Sequence, residues 1–262
     1  MTLLALAAIV LYLIAAGLLA RPLLGGAAAE RLSIGIAAVA VLDHASILLG
    51  THRGELDLHF FAALSLVACV MAALTVLVNL WRRITALGVI VFPLAALVLG
   101  ADVLAAAATS PQPLDWQIKL HATLALFAFS VLFIAAVLAI LLAIQERALH
   151  HHQFGGLLRA LPPLTLTEAL LFRLIGAGFV LLTLTLLTGI LFVDNLFSQH
   201  LIHKTVLSIA AWIVFGVLLA GRRRYGWRGR HAVNLTLIGM VILLLAFFGS
   251  KLVLELILQR TP

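Results

Sequence analysis

The chain has 262 residues, of which 64% are hydrophobic and only 10% are charged. Soluble domains carry about 25% charged residues, so a water-soluble fold is excluded and lipid is the expected solvent. The net charge of +7 does not indicate nucleic-acid binding, because the basic residues stand singly or in short groups between apolar runs. A single cysteine, Cys69, excludes an intramolecular disulfide, a dithiol redox pair and a CxxCH haem-attachment motif.

Eight apolar segments recur along the chain, each near the roughly 20 residues that a membrane-spanning helix needs. We therefore predict an all-α, polytopic transmembrane helical bundle with about eight spans, forming one domain over residues 1–262. The first segment has no basic region before it, so we interpret it as a helix and not as a signal peptide. The predicted spans are Thr2–Ala20, Leu32–Leu49, Leu58–Leu80, Ile84–Ala106, Ile118–Ile144, Leu170–Phe192, Thr205–Ala220 and Ala232–Leu258.

The basic residues alternate between the two ends of these segments and predict the orientation. One end carries eleven arginines: Arg21, Arg31, Arg82, Arg83, Arg147, Arg159, Arg222, Arg223, Arg224, Arg228 and Arg230. The other end carries five basic residues: Arg53, Lys119, Lys204, Lys251 and Arg260. Because cytoplasmic loops are enriched in Lys and Arg, we expect the arginine-rich loops in the cytoplasm and both termini in the periplasm.

Histidine is the residue type that points most directly to chemistry, since a neutral imidazole binds haem iron and other transition metals. His44 follows Asp43 inside the second segment, and His121 lies in the first turn of the fifth. An ionisable residue within the membrane is costly and suggests function, so we predict His121 and His44 as candidate iron ligands. The alternative is a histidine hydrogen-bonded between helices, with Asp43 as the partner of His44.

A second group of candidates lies toward the same predicted outer end. His200 and His203 would share a helix face and either supply a further ligand or face water. Lys119 and Lys204 flank His121 and His203 and would provide counter-charges for the anionic propionates of a haem. The alternative for both lysines is that they extend to the membrane surface.

Other patterns are local. Thr165 and Glu168 have the spacing of a capping box at the start of the sixth segment. No HExxH, Walker A or GxSxG motif is present, so we predict no metalloprotease, NTPase, serine hydrolase or other enzyme. Small residues give the sixth segment a surface suited to close helix packing: Gly176, Gly178, Thr183, Thr185, Thr188 and Gly189.

Several short stretches, taken in order, are similar to a known family. They are Lys119-Leu-His121 running into Ala122–Ile134, Leu161-Pro-Pro-Leu164 with Glu168 and Phe172-Arg173, Gly178-Phe179 through Thr188-Gly189, His203-Lys204-Thr205 with Trp212, Gly226-Trp-Arg-Gly-Arg230, and Phe247-Phe248-Gly249-Ser250. They extend over almost the whole chain. In this order they resemble the cytochrome c assembly protein superfamily, and within it the HemX-like and YpjD-like inner membrane proteins related to CcsA.

The resemblance implies a multi-pass protein of the bacterial inner (plasma) membrane that handles haem, with haem b as cofactor. The partners it implies are the lipid bilayer and other membrane proteins of cytochrome maturation. His121 resembles the external histidine of that superfamily. The WWD segment of haem-presenting relatives is missing, and residues Phe197–Lys204 stand in its place. We therefore predict haem binding or handling without presentation to an apocytochrome.

Two alternatives remain open at the level of the sequence. One is a structural or regulatory membrane subunit that binds no cofactor. The other is a small-solute transporter, which would favour broken helices and polar residues at the membrane midplane.

Overall fold

The computed structural model describes residues 2–24, 26, 29–51, 60–81, 84–105, 115–150, 163–192 and 202–249. Over these residues it has eight helices that are long and apolar enough to cross a membrane, which confirms the predicted fold class. The helices are α1 (Thr2–Ala20), α2 (Glu30–Thr51), α3 (Phe60–Trp81), α4 (Thr85–Leu104), α5 (Trp116–His150), α6 (Leu164–Phe192), α7 (Ile202–Tyr225) and α8 (Arg230–Leu244). A 3₁₀ turn (Arg21–Leu24) follows α1, and a π-helical turn (Leu245–Gly249) continues α8.

Some helices are longer than their predicted spans. The helix α6 begins at Leu164 and not at Leu170, and α7 ends at Tyr225 and not at Ala220. Backbone hydrogen bonding continues through polar and charged residues beyond the hydrocarbon, whereas apolar length measures only the part in lipid. The third, fourth and eighth predicted spans include residues outside the described ranges, and the orientation of the termini stays a prediction.

The chain divides into two compact units. The first comprises Met1–Pro113 and Gln145–Pro163, and the second comprises Leu114–Ile144 and Leu164–Pro262. The helix α5 therefore contributes to both, with residue 144 as the boundary. The single domain expected from the sequence stays a prediction.

The first unit is built around α1, which packs against α2 and α4, while α3 packs against α4 and α2. Alanines such as Ala5 and Ala8 are buried in α1 and allow neighbouring helices to approach closely. The hydroxyl of Ser33 donates a 2.7 Å hydrogen bond to the Ala15 carbonyl, which joins α2 to α1. This packing surrounds the buried side chain of Tyr12, the largest in the core of this unit.

The second unit comprises the first part of α5 together with α6, α7 and α8. At Gly178 of α6 an added Cβ would lie 2.5 Å from Cγ of Leu132, so α5 and α6 are in close contact there. Gly239 of α8 accommodates the buried ring of Phe215 from α7 in the same way. Glycine at these points removes the side chain that would otherwise hold the helices apart.

Candidate functional site

The site that best matches the sequence expectation is centred on His121, which is partly buried in α5. Its Nδ1 atom lies 3.1 Å from Oγ1 of Thr188 on α6. The same hydroxyl lies 3.0 Å from the carbonyl oxygens of Leu184 and Thr185, one turn earlier in α6. This polar contact links the two helices and fixes the orientation of the imidazole.

The hydrogen bonds of Thr188 also determine which ring nitrogen of His121 carries the proton. A threonine hydroxyl has one hydrogen, and within a helix it is commonly donated to a carbonyl of the preceding turn. With that hydrogen directed to the backbone, Oγ1 of Thr188 accepts, and Nδ1–H of His121 donates. The neutral ring then carries its lone pair on Nε2, the nitrogen that is left for an iron atom.

Gly189 allows this geometry because it lies directly against the imidazole. An added Cβ would lie 3.2 Å from Cε1 of His121, closer than side chains normally approach. Gly176 on the same helix has nothing within 4 Å of an added Cβ. The predicted small-residue surface is therefore not one packing face: Gly178 and Gly189 face α5, whereas Gly176 does not.

Pairs of aromatic rings lie beside the start of α5 and between α6 and α7. The rings of Trp116 and Phe192 meet edge to face, with centroids 5.7 Å apart. Trp116 precedes His121 by five residues, about 7.5 Å of helix rise. Tryptophan favours the boundary between hydrocarbon and headgroups, so this pair indicates that His121 lies just inside that boundary.

His44 lies in the first unit and has no exposed surface. Its Nδ1 is 3.3 Å from the hydroxyl of Tyr12, and its Nε2 is 3.0 Å from Oγ of Ser65. Both ring nitrogens are therefore engaged, and the imidazole joins α1, α2 and α3. The partner expected from the sequence, Asp43, is partly buried on the same helix but makes no described contact with this ring.

The remaining predicted site residues lie near the start of α7 and α5. His203 is exposed, and its ring has no hydrogen-bond partner within the ranges that the structure describes; Lys119 and Lys204 are partly buried. His200 lies outside those ranges, as do His52, His59, His151 and His152. Among the described residues no group of three His, Cys, Asp or Glu side chains is arranged to hold a metal ion.

Glu168 has a role that the sequence interpretation missed. Thr165 lies inside α6 and not before it, and one carboxylate oxygen of Glu168 is 2.8 Å from both Nη1 of Arg222 and Nε of Arg228. The predicted capping box is therefore wrong, because Thr165 lies inside the helix and Glu168 binds two arginines. The hydrogen bond from Arg228 to this carboxylate raises the pKa of the guanidinium, so the arginine stays charged.

The sequence also did not predict that Tyr12 and Ser65 lie beside His44. The two residues are separated from His44 by 32 and 21 positions, and neither belongs to a recognisable motif. Thr188 and Gly189 belong to the predicted small-residue surface of the sixth segment, and no local motif connects them with His121. The one available signal is that His121 and Thr188-Gly189 both belong to stretches that resemble the cytochrome c assembly proteins.

These features define a polytopic helical membrane protein with an oriented intramembrane histidine. The chain belongs to the Cytochrome C assembly protein family, whose model matches residues 33–258. The family resemblance of the sequence is thereby confirmed.

Individual relatives match over shorter ranges. The inner membrane protein YpjD of Escherichia coli K12 is 45% identical over 137 residues, which cover 52% of each chain. A 28.8 kDa protein of Azospirillum brasilense is 37% identical over 143 residues, 54% of this chain and 53% of that one. The cytochrome c biogenesis protein CcsA of Chlamydomonas reinhardtii is 25% identical over 143 residues, 54% and 39% of the two chains. This chain thus spans about half, or less, of the length of these relatives, and no solved structure matches it significantly.

Proposed function

We propose that this protein binds or handles haem in the bacterial inner membrane as an accessory or regulatory component of cytochrome c assembly. The observation that carries the proposal is the hydrogen bond between Nδ1 of His121 and Thr188. It favours the tautomer whose Nε2 lone pair is available, which is the form of imidazole that binds iron. The names of the relatives support the same process, since one is an inner membrane protein and another a cytochrome c biogenesis protein.

The residues around His121 suit a haem of the b type, which is held without covalent attachment to cysteine. When bound, haem would supply an iron centre. His121 would hold the iron, Trp116 and Phe192 would offer aromatic surface near the membrane boundary, and Lys119 and Lys204 would provide positive charge for propionates. The chain has no WxWDPKE sequence, so we propose haem handling and not presentation to an apocytochrome.

The sequence offered His44 and His203 as second iron ligands, and we propose His203. Ligation by His44 would break its hydrogen bond to Tyr12 or to Ser65, and losing a buried partner costs about 1–3 kcal/mol. Ligation by His203 would break no described hydrogen bond. This difference favours His203, which reverses the order that the sequence alone suggested.

The experiment is an absorption spectrum of the detergent-purified protein from haem-replete cells. We expect a Soret band that is lost in His121→Ala and returns when free imidazole is added to that variant, because imidazole can occupy the place of the deleted ring. His231→Ala, which removes an exposed histidine at the start of α8, is the matched control. A normal Soret band in His121→Ala would disprove the assignment of this ligand.

The same spectra distinguish the candidates for the second ligand. Removal of the true ligand should change the spin state of the iron or release haem. His203→Ala should do so while the protein remains folded, whereas His44→Ala should lower thermal stability and leave the Soret position unchanged. No haem in the parent protein, even after addition of haem, would favour a subunit without a cofactor.

A further inference from the structure

The turn between α7 and α8 is unusually basic for a protein with so few charges. We call residues 222–230 the arginine turn. It joins two helices that are long and apolar enough to cross a membrane, so it lies where the chain leaves the hydrocarbon. Its five arginines are Arg222, Arg223, Arg224, Arg228 and Arg230.

Two of these arginines bind Glu168 and so hold the turn to α6, although the side chain of Arg228 is 61% exposed. Arg222 and Arg228 share one oxygen of Glu168, whose side chain is only 6% exposed. Arg222 also donates a 3.3 Å hydrogen bond to the carbonyl of Trp227, and its guanidinium lies 4.6 Å from the centre of the Phe172 ring. These contacts fix both ends of the turn, because a shared buried carboxylate restricts both guanidinium groups.

The backbone and aromatic residues of the turn add to this order. Gly226 and Gly229 have φ values of 66° and 53°, a conformation that glycine adopts without steric cost. The Trp227 ring lies against Gly221, where any added Cβ would overlap it. The ring also stacks with Tyr225 and with His231, with centroid distances of 6.1 and 6.0 Å.

The other three arginines of the turn face outward. Arg223, Arg224 and Arg230 are exposed, and none of them has an acidic partner within the ranges that the structure describes. Tyr225 beside them is 72% exposed, and tyrosine favours the zone where apolar rings meet polar headgroups. An ordered turn therefore presents three guanidinium groups and a phenol at the membrane surface.

We propose that the arginine turn is a binding surface for the headgroups of anionic phospholipids. Guanidinium groups bind phosphate oxygens in a bidentate manner, and basic clusters next to a membrane helix attract anionic lipids. The position of the turn between two apolar helices favours lipid over an acidic protein, because the arginines already lie at the depth of the headgroups. The two arginines bound by Glu168 keep the turn closed, and the three exposed arginines remain for phosphate.

The test is lipid binding by the whole protein in nanodiscs of phosphatidylcholine containing a minor fraction of phosphatidylglycerol, followed by release and native mass spectrometry. We expect phosphatidylglycerol to be retained in preference to phosphatidylcholine. The triple variant R223Q/R224Q/R230Q should lose this preference, since each surface arginine contributes about fivefold to binding of an anionic membrane. Three such contributions multiply, so a loss of roughly 100-fold is expected.

The matched control removes the same charge from separate positions. R21Q/R31Q/R147Q replaces three exposed arginines that lie near the ends of α1, α2 and α5, and it should retain most of the preference. Equal losses in the two triple variants would overturn the proposal, because net charge alone would then explain the binding. A parent protein without preference for phosphatidylglycerol would also overturn the proposal. An acidic protein partner would then be the better explanation of the basic turn.

A charge-conserving variant tests the geometry separately. R223K/R224K/R230K keeps all three charges on exposed residues, so it is not expected to unfold. Lysine lacks the bidentate fork, and we expect partial loss of the preference, between the parent and the glutamine variant. A lysine variant that binds as weakly as the glutamine variant would contradict the electrostatic part of the proposal.

Discussion

Gly189 lies so close to His121 that a methyl group at this position would come within 3.2 Å of Cε1 of the ring. The contact joins α6 to α5 at the same level as the hydrogen bond from the ring to Thr188. The orientation of the imidazole is therefore set from two sides, by a hydroxyl that accepts from Nδ1 and by a backbone that touches the ring edge. Both constraints come from consecutive residues of one helix.

Gly189→Ala should disturb the imidazole without removing it. Either the ring of His121 tilts or α6 moves away by a few tenths of an ångström, so we expect weaker haem binding with the protein still folded. Haem titration followed at the Soret band measures this effect. Gly176→Ala is the control, because nothing lies within 4 Å of the new Cβ. It should bind haem normally and raise helix stability by about 0.5–1 kcal/mol, and equal haem loss in both variants would rule out a specific contact.

Thr188→Val should weaken haem binding through the tautomer of His121. Valine keeps the shape of threonine but offers no oxygen to Nδ1–H, so the proton is no longer held on that nitrogen. Substitution of a residue that orients a metal ligand typically costs about 10–100-fold in affinity. Thr188→Ser retains the hydroxyl and should stay close to the parent. The measurement is the haem dissociation constant of each variant, and identical constants for valine and serine would contradict the role of the hydroxyl.

Tyr12→Phe should destabilise the protein and leave haem binding unchanged. The substitution removes the hydroxyl that lies 3.3 Å from Nδ1 of His44 and leaves a buried ring nitrogen without its partner. We expect a loss of about 1–3 kcal/mol in the free energy of unfolding, seen as a lower thermal midpoint in detergent. Ser65→Ala should act similarly from the opposite side of the ring. If either variant instead altered the Soret band, His44 would be part of the haem site after all.

The orientation can be tested with single cysteines in a background where Cys69 is replaced. Asp115→Cys lies just before α5, and Tyr225→Cys lies at the end of α7. Because the arginine-rich loops are predicted to be cytoplasmic, an impermeant thiol reagent should label position 115 in intact spheroplasts and reach position 225 only after lysis. Both positions are exposed in the structure, so poor accessibility would not explain a negative result. The reverse labelling pattern would invert the predicted topology.

Local features of the sequence predicted the helices well and the helix ends less well. The helix α1 has the bounds that its apolar run predicted, and this run ends at the charged Arg21. The helix α6 begins six residues before its apolar segment because Thr165 and Glu168 continue the helix. Glu168 is then buried by Arg222 and Arg228, whose proximity no local pattern could reveal.

The sequence by itself determined that this is a helical membrane protein of the Cytochrome C assembly family, and it predicted His121 as the leading candidate ligand. The apolar length of a segment and the order of short motifs are properties of the amino-acid sequence, so they can be detected without the tertiary structure. Only the tertiary structure decided that Thr188, 67 residues away, holds the ring of His121, and that Tyr12 and Ser65 engage both nitrogens of His44. Hydrogen bonds between helices depend on which faces meet, and the rotation of each helix is fixed by packing with its neighbours.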